Sequence, residues 1–523
     1  MGRAAHGLST STLAAALGSP DFSLAVSPST ERRLVWALPV VLAISVYYVF
    51  LASAGTFRDL PQQLDYYDRM CEGFRHGHLY ILQAPSPELL EKADPFAYSN
   101  VNLWLWDASL YKGHYYMYWG PVPGLLLLAF KVLTGSHERI TDQWPTALFM
   151  VGRLIAGAGI VLSLASRVWT RQPAWICALA IAVFGLANPS PFVVARPHVY
   201  EASLAGGQCF LFLGLFWAFS GLTTRASRRL FFLLSSLSWA LAAGCRVTAF
   251  LPVPLLIAAT AGFAWHLSSR SPKRFAYDCL ALGAPFAVAA CAYGAYNYAR
   301  FESVIEFGQN YQVTRQPFTG NSAYVVPNLF SYFFAPVRWS CRFPFVNILD
   351  HRPLSSLIEW PLGYESFERV GGILITDAWC WLVLLWIWRI AEYLWGRRRG
   401  DARSSSNIEV DELWLFICSM ATVVSIVPAL PLWEASMRYV EDAVGGLVLA
   451  STLGVFWLLQ RTYFYRRRAF GLFARGMILA FGAQTCVVGA LAAVTSYEDP
   501  LKTKNPVLFE QLEEWFSLCR ESR

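Results

Sequence analysis

The sequence predicts an all-α, polytopic integral membrane protein, and three observations carry that prediction. Of the 523 residues, 55% are hydrophobic and only 15% are charged, against roughly a quarter charged in a soluble domain. The apolar residues gather into runs of about twenty, enough to cross a hydrocarbon core about 30 Å thick. The Lys and Arg behind the formal net charge of +7 sit in short clusters between those runs, as cytoplasmic loops do. The charge therefore reads as topology, the partners it implies are membrane lipids, and no nucleic-acid partner is expected.

In order along the chain, residues 1–33 are Ala/Ser-rich and read as a disordered cytoplasmic tail ending in Glu31-Arg32-Arg33. No small-residue cleavage site follows the first run, so Leu34–Ala54 is taken as an uncleaved helix. Further spans are expected at Trp119–Leu133, Ala147–Ser166, Pro173–Val193, Ala202–Leu222, Leu230–Gly244, Thr248–Ser268 and Tyr277–Tyr296, which close an N-terminal transmembrane module over 34–296. Gly372–Ile390, Leu413–Leu430, Val444–Gln460 and Leu472–Val494 form a C-terminal set over 372–494, followed by a tail, 495–523. Allowing for soft boundaries, about 11–13 transmembrane helices are expected. Two long stretches interrupt them: 55–118, a large extracytoplasmic first loop, and 297–371, a second external loop or small subdomain. Both are rich in Tyr, Trp, Phe and Pro, a composition of ordered chain, since disordered segments are poor in aromatics.

Basic residues at Arg167/Arg171, Arg225/Arg228/Arg229, Arg270/Lys273/Arg274, Arg397–Arg403 and Arg461/Arg466–Arg468 place those loops in the cytoplasm. Both long loops, Arg196–Glu201, Arg246 and Trp433–Asp442 then lie outside. Twelve full crossings conflict with this pattern, because they would return the C-terminus to the cytoplasm. One crossing is missing or only half crosses, and the suspect region is Tyr118–Pro173, where the run from Trp119 is short and interrupted by Pro121 and Pro123. No phosphate-loop or dinucleotide fingerprint is present, which leaves no ATP-driven engine. Cysteines show no CxxC or mixed Cys/His ligand pattern. No cofactor is legible; a divalent cation is the one helper left open.

Two constellations could carry chemistry. After the first span, a helix over Asp65–Phe74 would bring Asp65, Asp68 and Arg69 to one face at i, i+3 and i+4. Asp68, then Asp65, are the candidates for a catalytic base, with Asp59, Asp107 and Glu201 behind them; the plainer reading is a solvated helix beside the membrane. The second constellation is ionisable residues at external helix ends: Arg196, His198 and Glu201, then Arg246, then Arg438, Tyr439 and Asp442. Charge near membrane depth is costly and usually faces a cavity or a partner, and Arg forks suit phosphate oxygens. The competing reading for each Arg is a side chain snorkelling to the interface.

A first span, an external loop with acids near its start, an aromatic-proline re-entry at Asp107–Pro123 and many later spans resemble the C-type glycosyltransferases, through a branch of uncharacterised bacterial membrane proteins. Asp68–Tyr80, Arg196–Glu201, Gly244-Cys245-Arg246, Tyr296–Gln312 and Arg438–Asp442 carry the resemblance over roughly 34–460. Where protein-mannosyltransferase-type members carry an acidic pair, this sequence has Gln62-Gln63, with the nearby acids out of register. The resemblance implies a cell-membrane enzyme that moves a sugar from a polyprenyl-phosphate carrier to an extracytoplasmic acceptor, with Arg196, His198, Glu201, Arg246, Arg438, Tyr439 and Asp442 on the substrate side. A transporter or flippase of a lipid-linked intermediate would use the same cations without a base.

Overall fold

A computed structural model describes residues 28–60, 63–224, 227–267, 271–314, 320–348, 360–364, 368–398, 408–464, 468–495 and 499–519. Residues 1–27 of the expected tail, Gln62, and Arg225, Arg270, Arg466 and Arg467 of the basic loops lie outside the described residues. The chain is an α-helical, multi-pass membrane protein: among the described residues, eight helices are long and apolar enough to cross a bilayer.

The first helix, α1 (Pro28–Ala52), begins six residues before the expected Leu34. Proline tolerates a helix start, and Arg33 is buried with its guanidinium on the carbonyls of Ala165 (2.9 Å) and Gln172 (3.0 Å). These bonds tie the start of α1 to the Arg167/Arg171 loop. In the first long loop, α2 (Tyr66–Arg75) is followed by a small antiparallel hairpin, β1 (Ser109–Tyr111) and β2 (His114–Tyr116). Next come α3 (Val122–Thr134), α4 (Gln143–Arg167), α5 (Ala174–Leu186), α6 (Val199–Thr223), α7 (Arg228–Cys245), α8 (Pro252–Leu267) and α9 (Pro272–Phe301). The second long loop holds a hairpin, β3 (Val337–Trp339) with β4 (Val346–Ile348). The bundle closes with α10 (Val383–Arg398), α11 (Val410–Val423), α12 (Met437–Phe464) and α13 (Arg468–Ala492), and α14 (Pro506–Phe516) follows.

The run from Trp119 behaves differently from its neighbours. The helix it forms, α3, has 13 residues, about 20 Å of axis, too short for a 30 Å core. Both of its ends stay at one end of the bundle. Gly120, just before it, lies against Gly244 at the end of α7. Lys131 near its other end pairs with Glu72 of α2 at 2.9 Å, and the chain beyond returns to Leu64, whose carbonyl accepts from the Asp142 amide at 2.9 Å. Leu125, Phe130, Val132 and Leu133 leave an exposed apolar face, as an interfacial helix does. Helix α5, with 13 residues, is as short as α3 and is likewise not one of the eight long apolar helices. The start of α1 is tied to the Arg167/Arg171 loop, whereas the C-terminal segment bonds Ala54 beyond the other end of α1.

One of the expected spans is broken. The expected run Pro173–Val193 stops after Leu186 and resumes as a short helix, Ser190–Ala195. Pro189 has no N–H to continue the helix, and the Asn188 amide bonds the Asp377 carboxylate instead, at 2.9 Å. Packing is densest around α12, whose most apolar window is wholly buried. A fully buried ion pair, Arg153–Glu441 at 3.0 Å, sits at its core, with Ser190 donating to Glu441 at 2.8 Å. Removing either charge would leave the other buried and unpaired, which costs several kcal/mol.

Candidate functional site

The end of the bundle that gathers both long loops contains an open cleft of ≈ 150 Å³, smaller than a typical closed small-molecule pocket. Its position follows from two glycines. A Cβ on Gly120 would lie 1.9 Å from the Gly244 carbonyl oxygen, so only glycine lets the returning first loop press against the end of α7. That contact sets Tyr118 and Trp119 on one wall and Arg246, which caps α7, on the next. Ser109 of β1 donates to the Gly308 carbonyl at 2.7 Å, pinning the first loop to the second. Tyr200 and Tyr439 complete the aromatic lining, with Trp433 and Glu434 at the rim.

Of the expected cations, Arg246 lines the cleft, and Arg438 and Arg196 lie behind it, joined through Glu368 and the Tyr200 wall. Arg246 bonds Asp442 at 2.8 Å through Nη2 and Thr248 at 3.1 Å through Nε, and lies over the Tyr439 ring at 5.8 Å. The other Asp442 oxygen accepts from Gln208 at 3.1 Å. Arg438 pairs with Glu368 at 2.7 Å and lies 4.3 Å from the centroid of the Tyr200 ring. Arg196 reaches the same Glu368 at 3.3 Å and Glu201 at 3.4 Å. Ser436 donates to the second oxygen of Glu368 and accepts from Arg438 Nε at 2.9 Å. The result is a preorganised network in which Glu368 bridges two arginines, and each guanidinium is 10–13% exposed.

Asp107 enters by a different route. It is held at a φ of +57°, in the left-handed region that Asp tolerates better than most residues. Its carboxylate accepts from the Tyr200 hydroxyl at 2.7 Å, and the Tyr118 and Tyr200 hydroxyls share a 2.8 Å hydrogen bond. Burial raises its pKa above the ordinary carboxylate value, against the pull of that hydrogen bond and of Arg438 and Arg196. His198 lies just before α6; burial first, then the charges of Arg196, Lys504 and Arg438, push its pKa down to about 3. Its ring is therefore neutral at physiological pH.

Asp65 and Asp68 belong to a separate cluster. Asp65 immediately precedes α2 and is held by Arg69 at 2.7 Å and by Arg139. Asp68 pairs with Lys131 at 2.8 Å, and the Lys131 side chain is only 2% exposed, with Glu72 on its other side. The N-terminus of α2 is capped by Asp142, whose carboxylate accepts from the amides of Tyr66 (3.0 Å) and Tyr67 (3.1 Å). None of Asp65, Asp68, Asp107, Arg196 and Arg438 is among the residues lining the cleft, but Asp107 and Arg438 contact its Tyr200 wall.

Sequence reasoning left out Glu368, Tyr200 and Lys131. A lone lysine inside the apolar run Trp119–Leu133 was the available signal for Lys131, since such charges are seldom unpartnered. Glu368 carried none, lying in a long loop with no periodicity. Among the described residues, no group of three or more His, Cys, Asp or Glu side chains is arranged to hold a metal ion.

No protein-family model matches this chain, and no curated protein matches it. Among solved structures, it is similar to the Archaeoglobus fulgidus oligosaccharyltransferase in the apo form, at 13% identity and a TM-score of 0.43, covering 93% of this chain and 60% of that one. The same archaeal protein in complex with an inhibitory peptide and a dolichol-phosphate gives the same values. ArnT from Cupriavidus metallidurans bound to undecaprenyl phosphate is similar at 12% identity and a TM-score of 0.43, covering 92% of this chain and 80% of that one. The chain thus spans about 60% of the length of the archaeal protein.

Proposed function

We propose that this protein is a membrane glycosyltransferase that moves a sugar from a polyprenyl-phosphate carrier to a hydroxyl acceptor on the extracytoplasmic side. The observation that carries the reading is that Arg246, Tyr118, Tyr200 and Tyr439 line one cleft at an end of a membrane-spanning bundle, while Arg438 lies over the Tyr200 ring, Asp107 accepts from the Tyr200 hydroxyl, and Arg196 shares Glu368 with Arg438. Guanidinium forks suit a phosphate monoester, and the aromatic walls suit a sugar ring and the first apolar units of a prenyl chain.

In this reading Asp107 is the base, and Asp68 and Asp65 hold the loop in place. Asp107 takes the proton from the acceptor hydroxyl as that oxygen bonds to the anomeric carbon. The bond from that carbon to the phosphate oxygen breaks, and the polyprenyl phosphate leaves with the electron pair. Arg246 and Arg438 stabilise the charge that develops on it, which is where fixed donors contribute most. A base whose pKa is raised toward the working pH is better matched to accept a proton, as burial does for Asp107.

The test is direct. Lipids extracted from the purified protein should contain a polyprenyl phosphate by mass spectrometry, and the protein should turn over a polyprenyl-phosphate sugar. If an Asp107→Asn variant keeps full activity in moving the lipid-linked sugar across a membrane, with no transfer by the parent, the protein is a flippase and the enzymatic reading fails.

A further inference from the structure

The C-terminal segment is the part of the external face that the proposed reaction leaves without a role. It is anchored at four places. Cys519 is disulfide-bonded to Cys341 in the second long loop. The Leu518 amide donates to the Cys341 carbonyl at 2.8 Å, and the Phe343 ring sits between Phe509 and Phe516 at 5.9 and 6.2 Å. Asn505 donates to the carbonyl of Ala54 at the end of the first passage, at 2.9 Å. Asp499 lies 4.0 Å from Arg369, the neighbour of the bridging Glu368.

The fourth anchor points inward. Lys504 Nζ donates to Gln63 Oε1 at 3.1 Å, and the Gln63 side-chain amide donates to the carbonyl of Pro197, between Arg196 and His198. A cation from the last twenty-odd residues thus reaches the string that supplies Arg196. The depressed pKa of His198 agrees, because Lys504, Arg196 and Arg438 all act on its ring.

We propose that the segment Asp499–Cys519 is a strap that completes the anion site: Lys504 is a positioning residue that adds positive potential beside Arg196 and Arg438, and the Cys341–Cys519 bond keeps it there. The inference rests on the glycosyltransferase reading only for the identity of the anion, a polyprenyl phosphate. A nearby unit charge in a partly screened site is worth roughly a tenfold change in affinity. A disulfide limits the freedom of a strap that would otherwise pay an ordering cost on each encounter. Disulfides also persist only in oxidising surroundings, so the strap would hold on the extracytoplasmic side and be released by reduction.

The experiment titrates undecaprenyl phosphate into the full-length protein in phosphatidylcholine nanodiscs, reading quenching of intrinsic tryptophan fluorescence, since Trp119 and Trp433 border the cleft. Lys504→Gln should bind about tenfold more weakly than the parent at low salt, with the gap closing as ionic strength shortens the Debye length. Lys504→Arg should restore binding. A Cys341→Ser/Cys519→Ser double variant should weaken binding by a similar factor, and adding Lys504→Gln to it should cost little more, because both act through the same cation. Binding by Lys504→Gln within twofold of the parent at low salt, with Arg246→Ala weakened, overturns the strap and leaves the function standing. A parent that does not bind undecaprenyl phosphate sinks the function reading and the strap with it.

Discussion

The Asp65/Asp68 cluster and the Arg196/Arg246/Arg438 cluster lie at the same end of the bundle; in the second, Arg246 lines the cleft and Arg438 lies against its Tyr200 wall. In the first, Lys131 is enclosed between Asp68 and Glu72, and Asp65 is shared by Arg69 and Arg139. Every charge there is answered by a neighbour, and the product is a rigid joint between α2, α3 and the start of α4. In the second, Glu368 and Asp442 hold the arginines in place while leaving aromatic-lined space beside them. Both arrangements satisfy the cost of burying charge. They differ in what they leave open, and on the proposed function that difference is what distinguishes a structural ion-pair network from a site.

The comparison breaks most clearly at its carboxylates. Asp107→Asn should lower transfer by about 10²–10⁴-fold, the usual worth of a positioned base, while donor binding persists. Asp68→Asn should keep the turnover per folded molecule. Steady-state rates with a polyprenyl-phosphate sugar, normalised to folded protein, decide it; the reverse ranking would return the base to Asp68.

The cations give the next largest effect. Arg246→Ala and Arg438→Ala should each lose on the order of 2–5 kcal/mol of polyprenyl-phosphate binding, since each also strands a carboxylate. Lysine at either position should rescue only part, lacking the planar fork. Equilibrium binding in nanodiscs measures both, and parental affinity in the two alanine variants would remove the site.

Lys131 sharpens the other side. Lys131→Met leaves Asp68 and Glu72 facing each other and should cost roughly 2–3 kcal/mol of stability, discounted because Glu72 is partly exposed. Thermal unfolding in detergent reports it. Turnover of the surviving folded fraction should be unchanged if the cluster is only a joint.

The smallest effect is in the pH profile. A base must be deprotonated to act, so activity should rise with pH through the pKa of Asp107. Burial places that acid limb above the ordinary carboxylate range, near 4, in the direction found for Asp107. His198, pushed down to about 3, is neutral across the profile, so His198→Gln should leave the midpoint of the limb where it is. A midpoint that moves with His198 would assign the limb to the imidazole instead.

Hydropathy and the basic loops were enough to determine the membrane class, the order of the helices and the two long loops, because burying a backbone in lipid constrains each segment locally. The charge pattern also singled out Tyr118–Pro173 as irregular, since Pro121, Pro123 and the spacing of the basic loops are all readable along one dimension, and the helix there is short. Arg196, Arg246 and Arg438 were legible as ionised groups near helix ends, because charge at that depth is costly wherever its partner lies. The choice of partner was not. Whether Asp68 meets Lys131 or a substrate, whether Glu368 joins Arg196 to Arg438, and whether Cys519 finds Cys341 depend on distances between segments that are remote in sequence. Coulomb energy and hydrogen-bond geometry act through space over a few ångströms, so only the folded bundle could sort the charges that close on one another from those that border a cleft.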